Sequence, residues 1–527
     1  MGFKLKEYKS YMINLIVPAV VFGFITGTLT ALLVTAYKAC AHHIIHFSEL
    51  GYEYLREHLY FLPLVFIILF IISILFAFIY REYPNLKGGG IPTSVGILRG
   101  IITFKWLRSL IGVFALSLFS FLIGVPLGNE GPSVQMGTSI GRGSAYVFTK
   151  GKHRAWDRYS MTGGACAGFS VATGAPISGI LFAIEEAHQR ISPTIMLAAS
   201  SSVLFASITS RAISSAFGVS TTLFDGISLP KLAIKELWLP LLVGIALGLF
   251  GALVLKYYQV IKVFFQRILR KVPYTIKIFS IFTITLIVGL ISFSGVSTGH
   301  ELILSLFENK LTIGILIFVL FVRTTLTISA NTNGICGGMF IPSLAIGATL
   351  SAIIGKILVA CGLDEKYFGI ILVLGIVATL SGFMKSPLTA IVFSLEALSC
   401  YENIVSVIMV SLLAYFIAEF FETKSINDSA MEARVEEQNE GKTPIVSKTT
   451  VIVKAGSFAV GKQIRDIFWP ANLVVLSVKK AMKTNEELDG HGGKELHIGD
   501  TLHVQYSTLD EKTTIYELEG IVGDQNK

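Results

Sequence analysis

Long apolar runs alternate with short polar stretches over most of the chain. Residues 11–37, 59–80, 109–128, 237–255, 278–298 and 403–418 are free of Asp, Glu, Lys and Arg, and about 20 such residues suffice for a helix to cross a hydrocarbon core. A bilayer offers no water to backbone amides, so these runs are predicted as helices. The run beginning at residue 11 is too long for the apolar region of a secretory signal and lacks a small-residue cleavage site, so it is expected to remain in the mature protein. The apolar pattern ends near Phe421. Residues 422–444 are polar and charged and read as a linker that leaves the membrane as a helical extension. Beyond it come short β-branched runs at 445–454, 473–479 and 501–506, separated by the turn formers Asp489-Gly490 and Gly499-Asp500. They predict a small α+β domain. The division expected is a transmembrane domain over 1–422, a linker over 423–442 and a C-terminal domain over 443–524.

Composition sharpens this to a polytopic membrane protein. Of 527 residues 53% are hydrophobic and only 15% charged, outside the range of soluble domains. The net charge of +8 would suggest nucleic acid in a soluble chain. Here the basic residues flank apolar runs: Lys4, Lys6 and Lys9; Lys150, Lys152, Arg154 and Arg158; Lys256, Lys262, Arg267, Arg270 and Lys271. Such flanks mark the cytoplasmic side of a membrane protein. The N-terminus and the C-terminal domain are therefore expected in the cytoplasm, with no nucleic acid partner. Cys40, Cys166, Cys336, Cys361 and Cys400 are odd in number and form no CxxC pair, which predicts free thiols and no metal site. The chain has no HExxH, nucleophile elbow or phosphate loop, so neither an enzyme nor a cofactor is expected.

The membrane part repeats itself. GAPISGILFAIEEA (174–187) aligns without a gap on KSPLTAIVFSLEAL (385–398), which places Pro176 over Pro387, Phe182 over Phe393 and Glu185 over Glu396. GPSVQMGTSIG (131–141) pairs with GGMFIPSLAIG (337–347) at nearly the same separation. Transporters built from duplicated, often inverted halves bind substrate near the midplane, where helices break. Gly-rich breaks occur here at 88–92, 128–132 and 334–342, each followed by an apolar helical run. A helix that begins inside the bilayer presents unpaired N–H groups and the positive end of its dipole, equivalent to roughly half an elementary charge. Several such ends together favour an anion, held by dipoles weakly enough to leave again. One isolated Gly run is better read as a helix-packing face; three breaks at related positions favour a site.

Glu130 is the only ionisable residue between Ser109 and Gly141, a charge that a membrane tolerates only for a use. A carboxylate at a helix N-terminus can fill an anion site itself or merely cap the helix. Glu185 and Glu186 are adjacent, so on a helix they point roughly 100° apart and serve different roles.

The ordered motifs GGGIP, GNEGPSVQMG, TGAPISGILFAIEEA, GGMFIP and SPLTAIVFSLE resemble the CLC family of chloride channels and proton-coupled halide antiporters, over about residues 10–425. The resemblance implies an all-α polytopic fold of tilted and broken helices in an inverted repeat, and a homodimer with one anion pathway per subunit. It makes Glu130 the gating glutamate and Glu186 the internal proton-transfer glutamate. It places the anion among Gly89, Gly90, Ile91, Asn129, Gly131, Asn331, Asn333, Gly338, Met339 and Phe340. The implied function is transport of chloride or fluoride, coupled to protons; a passive voltage- or pH-gated chloride channel is the alternative. Three positions depart from the family pattern. Gly89 stands where the family has a chloride-binding serine, Asn129 where it has arginine, and the register of the central tyrosine leads to Asn427, with Tyr415 as a weaker candidate. The fluoride-exporting branch also carries asparagine in its GNEGP motif and polar residues before GGxFxP, here Asn331, Thr332 and Asn333. Residues 443–524 resemble the C-terminal regulatory domain of potassium-uptake regulators (TrkA-C or RCK-C type), which implies self-pairing, with or without a small ligand.

Overall fold

The computed structural model describes residues 15–149, 155–217, 221–224, 227, 229–439, 441–481 and 487–525. Of the basic flanks, Lys4, Lys6, Lys9, Lys150, Lys152 and Arg154 lie outside the described residues. The chain is helical up to residue 438. In order come α1 (Val17–Glu57), α2 (Leu62–Glu82), α3 (Ile91–Leu98), α4 (Trp106–Ile123), α5 (Glu130–Thr149), α6 (Ala155–Thr173), α7 (Pro176–Phe182) and α8 (Pro193–Phe217). They are followed by α9 (Trp238–Val263), α10 (Tyr274–Ile291), α11 (His300–Phe307), α12 (Ile313–Thr332), α13 (Phe340–Ala360), α14 (Phe368–Thr379), α15 (Pro387–Leu398), α16 (Ile404–Phe420) and α17 (Ile426–Gln438).

Among the described residues ten helical stretches are long and apolar enough to cross a membrane. The runs at 109–128 and 278–298 stop short of their apolar ends. Helix α4 ends at Gly124 in a left-handed turn, and α10 ends before Ser292. Four spans that the apolar runs above do not include are α8, α12, α13 and the stretch Glu365–Met384; each carries a basic residue, Arg211, Arg323, Lys356 and Lys366 in turn. Helix α1 spans 41 residues, about 60 Å at 1.5 Å per residue. That is twice a hydrocarbon core, so it must tilt or project beyond the core.

Side chains that face outward are apolar, as Phe24, Phe78, Ile111, Phe321 and Phe416 illustrate. The interior is close-packed and rich in small residues. A Cβ on Gly137 would stand 2.0 Å from the Gly164 carbonyl, and one on Gly164 would stand 2.1 Å from the Gly137 carbonyl. Here α5 and α6 touch backbone to backbone, which is the packing use of glycine in membranes.

The segment 423–442 is more than a spacer. Ser425 caps α17 by accepting from the Asp428 amide, and Ile426, Asn427, Ser429, Ala430 and Met431 are buried. After it a four-stranded antiparallel sheet forms from β1 (Ile445–Ile452), β2 (Leu473–Lys479), β3 (Glu487–Asp489) and β4 (Thr501–Thr508), in the order β1-β4-β2-β3. Alternation along β4 sends Leu502, Val504 and Tyr506 inward, and α18 (Glu511–Val522) covers them with Leu518, Ile521 and Val522. This domain sits against the membrane part. The Tyr159 hydroxyl donates to the Asp466 carbonyl at 2.9 Å and Arg158 to the Trp469 carbonyl at 2.6 Å. The Phe468 ring lies 4.4 Å from that of Tyr159 and 4.5 Å from that of His188.

Candidate anion and proton site

The three Gly-rich breaks meet. Gly128 and Gly338 exchange both backbone hydrogen bonds at 2.7 Å, which ties the approach to α5 to the approach to α13. The Gly88 amide donates to the Gly334 carbonyl at 2.6 Å, which brings the approach to α3 alongside. At the centre a Cβ on Gly131 would lie 2.7 Å from the Gly338 Cα and 3.2 Å from the Gly90 Cα. No other residue fits Gly131, because three backbones approach there. Proline near the start of each helix, at 92, 132 and 342, fixes φ and removes an amide that a helix would leave unpaired anyway. The N-termini of α3, α5 and α13 thus converge, which brings together the segments that carry Gly90, Ile91, Gly131, Gly338, Met339 and Phe340. Phe340 contributes its backbone, because its ring is packed between Phe169 and Phe393 at 5.1 and 5.3 Å.

Glu130 is the first residue of α5 and is wholly buried. Among the described residues neither carboxylate oxygen has a hydrogen-bond partner of good geometry, although the Glu130 and Ile341 amides lie close enough to stabilise its charge. Its Oε2 lies so close to Gly128 that a Cβ there would stand 2.4 Å away. The carboxylate faces the Ile341 amide at the start of α13, and Lys38 and His300 are basic groups within electrostatic reach. Lys38 donates to the Val171 carbonyl at 3.0 Å, and His300 Nε2 lies 2.7 Å from the Leu223 carbonyl. The Glu130 carboxylate is therefore buried among helix N-termini.

Gln135, one turn further along α5, holds the α3 loop. Its Oε1 accepts from the Gly90 amide at 2.6 Å, while its Nε2 donates to Ser109 at 3.0 Å and to the Asn85 carbonyl at 3.2 Å. A buried polar group on a glycine-rich helix was its only signal in sequence. Cys336 had none. A Cβ on Gly89 would stand 2.4 Å from its Sγ, so the thiol fills the space that a serine side chain at position 89 would need.

Asn331 and Asn333 each have one side-chain atom engaged within the protein: Asn331 Oδ1 accepts from the Tyr258 hydroxyl at 2.9 Å and Asn333 Nδ2 donates to the Ser329 carbonyl at 2.9 Å. A helix that stops inside a membrane leaves its last carbonyls unpaired, and the Asn333 side chain donates to one of them at the end of α12. Asn129 keeps a backbone role, its carbonyl accepting from the Ser133 hydroxyl at 2.8 Å. Tyr415 does not approach the glycine junction; it lines a separate cavity of about 490 Å³ with Glu185, Glu186 and Lys385.

The two adjacent glutamates separate as their angle demands. They lie in a five-residue π turn, Ala183–Ala187, that ends α7. The Glu185 carboxylate accepts from the Leu388 and Thr389 amides at 2.9 and 2.7 Å and from the Thr389 hydroxyl at 2.7 Å. Its repeat mate Glu396 does the same to the other half, accepting from the Ile177 and Ser178 amides at 2.7 and 2.9 Å and from the Ser178 hydroxyl at 2.8 Å. Each repeat therefore caps the other. Glu186 instead hydrogen-bonds Asn427 of α17, whose Nδ2 is also 3.2 Å from the Met384 sulfur. Arg99 at the end of α3 fixes the turn through the Ala187 and Glu186 carbonyls, both at 2.9 Å. Asn427 thus ties α17 to Glu186.

A family model described as voltage gated chloride channel matches residues 69–419. Among curated proteins, the H(+)/Cl(-) exchange transporters ClcA of Salmonella typhimurium and Salmonella newport are each 28% identical over 426 residues, covering 79% of this chain and 88% of the relative. Among solved structures, a slow cyanobacterial Cl-/H+ antiporter superposes with a TM-score of 0.70 at 24% identity, covering 80% of this chain and 99% of that one. A CLC-type fluoride/proton antiporter gives a TM-score of 0.62 at 20% identity, covering 77% and 96%.

Proposed function

As the chain belongs to the voltage gated chloride channel family, we propose that it exchanges a halide for protons across the bilayer, with Glu130 as both gate and proton carrier. The observation that carries this reading is the Glu130 carboxylate, buried and, among the described residues, without a hydrogen-bond partner of good geometry where three broken helices begin. When ionised it occupies the anion site; when protonated it loses its attraction for the dipoles and leaves the site to a halide. One side chain therefore links anion occupancy to proton transfer. Glu186 serves as the inner proton station, supported by its place beside a cavity and under the hydrogen bond from Asn427. The anion assigned is chloride, in keeping with the relatives' printed names; fluoride is the competitor that Asn129 recommends.

A passive channel is the second reading. Gly89 and Asn427 leave the inner side of the site without the serine and tyrosine of the family pattern, so an ion meets fewer side chains there. The two readings separate in proteoliposomes loaded with chloride or fluoride, with and without a pH gradient. Wild type should move protons against anion flux, and Glu130→Gln should carry anions without protons. Proton coupling retained in Glu130→Gln overturns the assignment.

The orientation proposed puts the C-terminal domain in the cytoplasm, the pairing proposed is a homodimer, and the role proposed for the domain is regulation. Its support is mechanical. Arg158 donates to the Leu98 carbonyl at the end of α3 at 2.7 Å and to Trp469 of the domain at 2.6 Å, so a shift of the domain is felt at the helix whose start forms the anion site.

A further inference from the structure

On the side of the glycine junction nearest α17 the chain builds a basic recess. Arg434 is wedged between two of the breaks: a Cβ on Gly88 would stand 2.2 Å from its Nη2, and one on Gly334 would stand 3.0 Å from its Nη1. Its side chain is 12% exposed, and its Nη2 donates to the Asn331 carbonyl at 3.3 Å. Lys87, the residue before Gly88, lies over the Tyr274 ring at 4.8 Å and is 15% exposed. Both cations turn to one carboxylate. Glu437 makes an ion pair with Lys87, and its other oxygen is 3.9 Å from Arg434. A cavity of about 490 Å³ opens beside them, lined also by Lys277, Gln266, Asn333 and Glu436.

Two nearly buried cations sharing a single carboxylate are incompletely balanced, and buried charge draws counter-charge strongly. Two features of Glu437 weaken its hold on the pair. It lies in the last turn of α17, where the helix dipole opposes a negative charge, and its side chain is 38% exposed. Arg434 is in contact with Gly88, two residues from the Gly90 backbone that meets Gly131. An anion arriving through the cavity therefore meets Lys87 and Arg434 immediately before the helix N-termini.

We infer that Lys87 and Arg434 form an inner capture site for the transported halide, and that Glu437 is a tethered carboxylate that occupies this site until a halide displaces it. The inference rests on the anion-transport reading above. It places a displaceable carboxylate at the inner mouth as well as at Glu130, with the inner one mounted on the helix that leads to the C-terminal domain. A purely structural ion pair makes a different prediction, because then removing either partner weakens the same scaffold.

The test uses the full chain in vesicles of neutral lipid, with chloride varied on the side of the C-terminal domain. Glu437→Gln removes the competitor and should lower the half-saturating chloride concentration several-fold. Arg434→Gln should raise it at least about fivefold, the order expected for losing a unit charge at about 4 Å even when water screens it fully, and Arg434→Lys should restore most of the loss. Half-saturation from the opposite side should stay at the wild-type value, which also reports that each variant is folded; Lys87→Gln repeats the Arg434→Gln test from the other cation. Opposite shifts establish the capture site. Parallel losses in Glu437→Gln and Arg434→Gln, or no shift in either, overturn it. Failure of wild type to pass any halide would instead remove the transport reading itself.

Discussion

Reciprocal capping between the repeats makes a quantitative prediction. Glu185→Ala and Glu396→Ala each remove one carboxylate that accepts two helix N-terminal amides and one hydroxyl. Loss of an N-cap costs about 1–2 kcal/mol, and loss of a negative charge at a helix N-terminus adds about 0.5–2 kcal/mol in partly buried settings. The exposed flank of each cap, at Ile177 and Leu388, keeps the sum below that of three fully buried charged hydrogen bonds. Each variant should therefore lose about 2–4 kcal/mol of unfolding free energy, and the two should be equal within about 1 kcal/mol because the two caps share geometry. Glutamine at either position keeps one acceptor oxygen and should recover about half of the loss. The assay is urea unfolding in detergent micelles followed by tryptophan fluorescence, with proton and anion fluxes measured in parallel. Coupling should survive in Glu185→Gln although Glu185 borders the same cavity as Glu186. A Glu185 variant that keeps its stability but loses proton coupling would refute the scaffold role, and costs differing by more than threefold would refute the reciprocity.

Three further outcomes follow from the same geometry. Gly131→Ala should abolish anion flux, since its Cβ would lie 2.7 Å from the Gly338 Cα and no side chain can yield; normal flux in a reconstituted variant would show that the junction opens more widely than its packing allows. Phe468→Ala should loosen the C-terminal domain from Tyr159 and His188, read as faster hydrogen exchange in residues 183–190, and unchanged exchange would leave the domain without a mechanical hold. In the C-terminal domain, burial pushes the Lys462 ammonium down to about 8 while its Nζ donates to the Phe458 carbonyl at 2.6 Å. Between that value and about 10.4 the unfolded chain binds more protons than the folded one, so the domain's stability should rise as pH rises from about 8 to 10. Lys462→Met should flatten that rise in a urea series, and an unaltered slope would assign it to another group.

Glu130 was legible because a lone charge in a long uncharged stretch is costly, and Glu185 and Glu396 were legible because a gapless repeat aligns them. The apolar runs fixed the membrane character, and the glycine breaks marked where helices would begin at depth. Both signals are local, written into consecutive residues. What lay outside them concerned pairs distant in the chain. Asn331 and Asn333 carry polar side chains in a motif, yet only the positions of Tyr258 and Ser329 decide which partners they meet. Cys336 fills the place beside Gly89 because α4, α12 and the α3 loop crowd there, which no spacing in the sequence encodes. Arg434 and Glu437 read as a charged linker and became the wall of a basic recess once α17 was laid against the glycine loops. Sequence alone determined that the chain enters the bilayer and where a charge must have a use; tertiary packing decided which partners each charge meets, because in a medium without water every polar group takes its partner from whichever segment the fold brings beside it.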